Sequence, residues 1–195
     1  MSLREKKKVK TRLHLLEAAL ELIGRQGFED TTINQIAAAV DVSPRTLLRY
    51  FPTKEDVIVS WVAEGMAIFL STLESRPANE PVHLSLIASA RELLNAYEAR
   101  TDFYLTIERV IGASSSISAR KQEMSTELAT QVSTVLAQRE SGAVTSKLER
   151  DLYPLVVFSM IRVVIKTWVY SEGQLKLSAL FEEACELVRF EGRGV

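Results

Sequence analysis

The sequence predicts an all-α fold, and three observations carry that expectation. Glycine and proline are scarce, 8 and 5 in 195 residues, which leaves too few turn-formers for a sandwich or barrel of many short strands. No stretch alternates apolar and polar residues with a period of two. Leucine, isoleucine, valine and alanine recur instead at three- and four-residue spacing, the period of an amphipathic helix.

The first helix is expected over about 10–26, where Leu13, Leu16, Ala19, Leu20 and Ile23 form a stripe and Gly27 supplies the stop. Phe28 follows as an apolar anchor. The second helix starts at Thr32, with Gln35 at capping-box spacing and Ile36, Ala37 and Val40 on its apolar face. Asp41-Val42-Ser43 is a tight connection. Ser43 caps a third helix whose first residue is Pro44, where a missing N–H is harmless, and Pro52 closes it. A fourth helix is expected from Thr53 to about Glu74, favoured by Glu55 and Asp56 in its first turn. A loop with Pro77, Asn79 and Pro81 follows. Further helices are expected at about 82–99, 102–112, 117–140, 147–171 and 175–191, separated at Gly112 with the serines 114–116, at Ser141-Gly142 and at Gly173.

Several function classes find no support. The lone Cys185 rules out an intrachain disulfide framework, suits a reducing cytoplasmic setting and reads as a packed thiol. The start has no secretory signal pattern. The apolar run 152–170 carries Arg162 and Lys166 at its middle, each costing about 2.5–3.5 kcal/mol at a bilayer centre, so it is expected to be a buried helix of a protein outside the membrane. His14 and His83 stand far apart, with no metal-ligand cluster, no phosphate loop after a strand and no nucleophile–base pattern. No cofactor, metal or catalytic site is expected, and the chain is not expected to be an enzyme.

Charge is unevenly placed. The formal net charge is -1, yet Arg4, Lys6, Lys7, Lys8, Lys10 and Arg12 face a single acid, Glu5, within the first dozen residues. Such a leader is either a solvated tail or a basic arm on phosphate. From Trp61 onward acids outnumber bases, 17 to 14.

Two short helices joined by Asp41-Val42-Ser43 have the form of a helix-turn-helix, whose second helix enters the major groove with its N-terminal residues leading. These are Pro44, Arg45 and Thr46, with Arg49 one turn on. Arginine can pair bidentately with guanine, while Tyr50 and Lys54 are placed for phosphate. An Arg45–Arg49 pair alone would read as a solvated helix face. Its surroundings decide otherwise. From Arg12 to Ile58, through LLEAALELIGRQGFEDTTINQIAAAVDVSPRTLLRYFPTKEDVI, the sequence closely resembles the TetR family of bacterial transcriptional regulators. Ala18-Ala19, Gly27-Phe28, Thr31-Thr32, Ile36-Ala37, Val42-Ser43, Thr46-Leu47, Tyr50-Phe51 and Lys54-Glu55 carry the family's spacing.

The resemblance implies a three-helix DNA-binding domain, assigned to 1–52, and a helical ligand-binding and dimerisation domain, assigned to 53–195. It implies that Thr32, Ser43, Thr46, Tyr50 and Lys54 contact DNA and that Phe28 and Phe51 are core. Arg45 stands where the family commonly has glycine, and Leu48 where it commonly has tyrosine. The Ser-Pro-Arg-Thr start is similar to a subgroup around the mycofactocin-associated regulator. The function expected is a ligand-responsive repressor that binds a palindromic operator as a homodimer. The alternative is a helical interaction module without sequence-specific DNA binding.

For the regulatory half, the candidate cavity residues are Phe69, Phe103, Tyr104, Ile107, Met124 and Phe158, which as single positions also suit a plain core. Ser159, Arg162 and Lys166 share one helix face. They form either a solvated stripe or a seat for the carboxylate or phosphate of an amphipathic anion such as an acyl thioester. The candidate dimer contacts are Val156 and Val163 with Leu177, Leu180, Phe181, Ala184, Leu187 and Val188 on the last two helices.

Overall fold

The computed structural model describes residues 2–138 and 146–188, and the described residues contain helices and no strand. In chain order these are α1 (Leu3–Gln26), α2 (Ile33–Ala39), α3 (Pro44–Tyr50), α4 (Lys54–Val59), α5 (Val62–Ser75), α6 (Val82–Glu98), α7 (Thr101–Ala113), α8 (Ser115–Gln138), α9 (Lys147–Tyr170) and α10 (Leu177–Leu187). They divide into two compact units, one of Met1–Ala63 with Thr106–Lys121, the other of Glu64–Leu105 with Gln122–Val195. The first unit thus reaches past residue 52 and takes in α4 and the ends of α7 and α8 that meet at Ser114.

In the first unit, α1 begins seven residues earlier than its apolar stripe suggests. The basic leader is helix from Leu3 onward, because Lys and Arg are good helix formers and periodicity reports burial rather than helicity. The buried side is Leu15, Leu16, Ala19 and Ile23; Leu13, expected there, faces outward. Gly27 ends the helix with φ 85°, a conformation that a Cβ would strain. Val40, expected on the apolar face of α2, is its half-buried C-cap. Asp41 takes the left-handed region (φ 53°) to turn the chain into α3.

The single helix expected over 53–74 is two helices. Thr53 and Asp56 form a capping box that starts α4. The helix stops after Val57, Ile58 and Val59, which are all buried. The run is β-branched, and the Ser60 hydroxyl donates to the Val57 carbonyl (2.7 Å), a local bond that competes with helix continuation. Trp61, 3% exposed, occupies the break. At the other end of the unit, only Ser114 separates α7 from α8, where a longer serine break was expected. The Ser118 hydroxyl donates to the Ile111 carbonyl across it (2.7 Å). Lys121 donates to both oxygens of the buried Glu108 carboxylate (2.5 and 2.7 Å), tying the two helices together.

In the second unit, α9 packs on α6 and α10. It is the one described helix long and apolar enough to cross a membrane. Its Val157, Ile161, Val164, Ile165 and Trp168 are nonetheless buried against these neighbours, as in the core helix of a folded domain. Its composition is apolar nearly all round, yet part of its surface is uncovered. Leu148, Leu152, Leu155, Val163 and Tyr170 stay exposed. The α5–α6 approach is close: a Cβ on Gly65 would lie 2.6 Å from Leu93 Cδ1. Ser146 and Glu149 form the capping box that starts α9. The Ser141-Gly142 break and the end of the last helix at 191 lie outside the described residues. Gly173 (φ 76°) turns the chain into α10.

The α10 N-terminus has no cap of its own. Instead the Glu98 carboxylate, at the end of α6, accepts from the Ser178 N–H (3.2 Å) and hydroxyl (3.2 Å). Replacing Glu98 with alanine is expected to cost about 0.5–2 kcal/mol, the worth of an N-cap. Urea unfolding checks it, and Glu98→Gln, which keeps an acceptor oxygen, should lose less.

Two of the expected dimer contacts belong to this core. Leu177 and Phe181 are fully buried within the chain, so they are unavailable to a partner. The helical wheel of α10 is amphipathic as expected, but its most apolar edge faces α6 and α9.

Candidate nucleic-acid interface and regulatory cleft

The candidate interface is built by three short capped helices. Thr32 caps α2: its hydroxyl accepts from the Gln35 N–H (3.2 Å), and the Gln35 side-chain Oε1 accepts from the Thr32 N–H (2.8 Å). Ser43 caps α3 by accepting from the Thr46 N–H (3.1 Å), and the two hydroxyls are 2.9 Å apart. Each bond fixes the start of a helix too short to be stable alone. Beneath them Ile36, Ala37, Leu47 and Phe51 are buried, so both helices are seated on the core of the first unit. Phe28 is buried as expected.

This arrangement leaves Pro44, Arg45 and Arg49 exposed at the leading end and outer face of α3. Leu48, at 45% exposure, lies on the same solvent side. Thr46 and Tyr50 are half-buried. Arg49 lies over the Tyr50 ring (5.6 Å) and Arg12 over the Phe51 ring (4.8 Å), which limits the freedom of both guanidinium groups. Thr32 and Ser43 are exposed beside them. Lys54 is placed differently from a free phosphate contact. Its ammonium donates to the carbonyls of Phe28 (2.6 Å) and Glu29 (3.4 Å) and sits 4.1 Å from the Phe28 ring. It therefore clamps the turn before α2 to the start of α4. Lys7, Lys8 and Lys10 lie exposed along α1.

The second unit holds a shallow cleft between α8 and α9, with a volume of about 50 Å³. Gln122, Ser125, Thr126 and Ala129 line it from α8, and Leu155, Phe158, Ser159 and Arg162 from α9. Arg162 Nη1 donates to the Gln122 side-chain oxygen (3.2 Å) across it. Phe158 is backed by the fully buried Phe69, with ring centroids 5.0 Å apart.

Of the residues expected to line a cavity, the structure brings Phe158 and Arg162 into the cleft, with Phe69 directly behind. The others are elsewhere. Tyr104 is buried and stacked on Tyr97 (4.1 Å), with its hydroxyl pKa pushed up by burial. Phe103 lies edge-on to Tyr104 with the Arg100 guanidinium 4.1 Å from its ring. Ile107 is fully buried in the first unit. Met124 is half-buried on α8, and Lys166 is exposed with its ammonium 5.7 Å from the Tyr170 ring. Sequence reasoning missed the α8 side of the cleft altogether. Gln122, Ser125 and Thr126 are small polar residues on an ordinary solvated helix, and only the α9 stripe opposite gives them meaning.

The exposed face of α9 has two adjoining strips. Leu155, Ser159, Arg162 and Lys166 lie on the side of the cleft. Leu152, Val156, Val163 and Tyr170 lie beside them and are mostly apolar. On α10, Leu187 is 80% exposed, and Leu180, Ala184 and Val188 are half-buried. Burial raises the Cys185 thiol pKa, with Glu182 adding to it, which suits a packed thiol.

Three comparisons bear on these surfaces. The family described as Bacterial regulatory proteins, tetR family, matches residues 15–60. The HTH-type transcriptional regulator TcmR of Streptomyces glaucescens is 31% identical over 199 residues, which cover 97% of this chain and 87% of that protein. The fatty acid metabolism regulator protein of Bacillus subtilis (strain 168) is 25% identical over 188 residues, covering 90% and 92%. Among solved structures, the transcriptional regulator FadR from Bacillus subtilis in complex with stearoyl-CoA superimposes with a TM-score of 0.57 at 19% identity, over 90% of this chain and 96% of that one. That superposition shares the fold.

Proposed function

This chain belongs to the TetR family of bacterial regulatory proteins, and from that premise we propose that it is a homodimeric repressor released from a palindromic operator by an amphipathic anion. It is a transcriptional regulator with a helix-turn-helix reader and not an enzyme.

The observation that carries the DNA reading is α3 itself. It is capped by Ser43 and pinned by the buried Leu47, and it presents Arg45 and Arg49 outward. In this reading residues 1–52 hold the reader, and Arg45 reads a base edge in the major groove. Thr32, Ser43, Thr46 and Tyr50 position the helix on phosphates, and exposed lysines of α1 add sequence-independent attraction. Lys54 contributes by holding the turn that presents Thr32. Such a protein acts in the cytoplasm, where the DNA is.

A seven-residue helix reads only a few bases, so two copies on two half-sites are needed for specificity. The apolar strip of α9 supports pairing: Leu152, Val156, Val163 and Tyr170 are left uncovered or half-covered within one chain, next to Leu180, Ala184, Leu187 and Val188 of α10. Residues 53–195 then serve dimerisation and effector binding.

The α8–α9 cleft supports the effector site because it sets one guanidinium among three hydroxyls, with an aromatic ring at its floor. Arg162 would take the carboxylate or phosphate of an amphipathic anion such as an acyl thioester. At about 50 Å³ the cleft is about a third of the size of a cavity that holds benzene, about 150 Å³, so in this reading it must widen to take a tail. The stearoyl-CoA bound by the Bacillus subtilis relative is the first ligand to try. Replacing Arg162 with alanine is expected to raise the stearoyl-CoA concentration for half-release of operator DNA about 10- to 150-fold, the worth of a hydrogen bond to a charged group. Operator affinity without ligand should stay as in the wild type. Unchanged release by the variant would remove Arg162 from the site.

A further inference from the structure

One carboxylate in the first unit serves two masters. Asp56 Oδ2 accepts from the Thr53 N–H (3.2 Å) and hydroxyl (2.9 Å), completing the cap of α4. Its Oδ1 accepts from Arg120 Nε on α8 (2.8 Å). The Asp56 side chain is 13% exposed and that of Arg120 35%, so the pair is shielded on the acid's side. One residue on, Lys121 is fixed to Glu108 and lies 5.2 Å from the Trp61 ring. The Ser118 hydroxyl closes the Ser114 turn. The first turns of α8 are therefore held firmly to the end of α7 and grip the N-terminus of α4 through Arg120.

Helix α8 then runs unbroken from Ser115 to Gln138. Gln122, Ser125, Thr126 and Ala129, the next residues along it, line the cleft. The other covalent route from the reader, α4 into α5, is interrupted at Ser60 and Trp61. Where α8 meets α4 stands the Arg120–Asp56 side-chain bond.

We propose that Arg120 is a positioning residue that carries the state of the α8 cleft to the DNA reader by holding the Asp56 cap of α4. The proposal rests on the reading of the cleft as the effector site. A displacement or twist of α8 by a bound molecule moves the guanidinium, and the carboxylate that starts α4 moves with it. Because α4 packs against α1 in the same unit, and its first residue, Lys54, holds the carbonyls of Phe28 and Glu29, a shift of α4 reaches the turn that presents α2. Arg120 touches neither DNA nor effector in this scheme.

The test uses the full chain without effector or operator, so its failure is separable from a failure of the repressor reading. A wedge, Ser125→Trp, stands in for a bound molecule, with Thr126→Trp as a second wedge where the first does not fold. Amide hydrogen exchange is followed at Asp56, Val57, Ile58 and Val59 in four proteins: native, wedge, Arg120→Gln and the double variant. The wedge is expected to change α4 exchange about 2- to 30-fold in the native background, the usual size of modulated coupling, and to change it hardly at all with Arg120→Gln. A residue of merely structural worth would add its own effect to the wedge's in full. Arg120→Lys, which keeps a charged donor, should restore part of the response. The same wedge effect in both backgrounds would show a route that bypasses Arg120, and no wedge effect in the native background would show that the cleft does not reach α4. Either result overturns the proposal.

Discussion

Replacing Arg45 with alanine is expected to lower affinity for the operator by about 1–3 kcal/mol per half-site, or about 5- to 150-fold, and by twice that free energy where both copies of a dimer engage. Arg45 is exposed at the second position of α3, directly after Pro44. A base-reading arginine loses its bidentate pair when truncated, whereas an arginine on phosphate loses only a sequence-independent contact. The two cases separate in one experiment: affinity for random duplex should fall much less than affinity for the operator. The fold should not change, since Arg45 is exposed and Ser43 and Leu47 hold the helix without it. Fluorescence anisotropy on the two duplexes gives both numbers.

Replacing Phe181 with alanine is expected to cost about 3–5 kcal/mol of folding stability, the usual penalty for emptying a buried aromatic site. Domains of this kind have about 5–15 kcal/mol to lose, so the variant should melt far earlier or fail to accumulate. The reason is burial within one chain: Phe181 is fully buried. Leu187→Ala, on the same helix but 80% exposed, should leave folding nearly unchanged, within about 0.5 kcal/mol, and act instead on subunit dissociation. Denaturant unfolding together with analytical ultracentrifugation tells the two apart. A Phe181→Ala protein that folds normally and merely dissociates would return that residue to the interface.

The reader was legible in the sequence because its determinants are local. Thr32 with Gln35, Ser43 with Pro44, and Gly27 each fix a helix end within four residues, and the structure places every one of those ends where the caps put it. The burial of Ile36 and Ala37 follows from helical spacing once the ends are set, while that of Phe51 was legible only through the family resemblance. The start of α1 was not legible from its apolar stripe, since lysines and arginines extend a helix without burying anything. The break after Val59 was hidden because the sequence continues with a helical pattern. What ends the helix is a β-branched run and one serine hydroxyl turning back on its own backbone.

In the second unit the limits are of another kind. An amphipathic helix such as α10 announces that it has an apolar face, but not whether its neighbour is in the same chain or another. Leu177 and Phe181 face inward and Leu187 outward on one stripe that looks uniform in sequence. The cleft depends on two helices whose cleft-lining residues are far apart in the chain, and the polar half from α8 carries no motif. Lys54 matches a phosphate-contacting position by spacing, while its bonds to Phe28 and Glu29 bridge α4 to the turn after α1 and are visible only in three dimensions.

The most direct test of the central claim is selection of duplexes from a random library by the purified chain, followed by binding of the enriched sequence at two salt concentrations. A dimeric reader built on α3 predicts a two-fold symmetric sequence whose half-site centres lie about 10–10.5 base pairs apart, or a multiple of that. It also predicts affinity that falls steeply with salt as lysines and arginines release counterions from phosphate. Enrichment of no sequence, or binding indifferent to salt, would contradict the assignment and leave the helical interaction module as the better description of this chain.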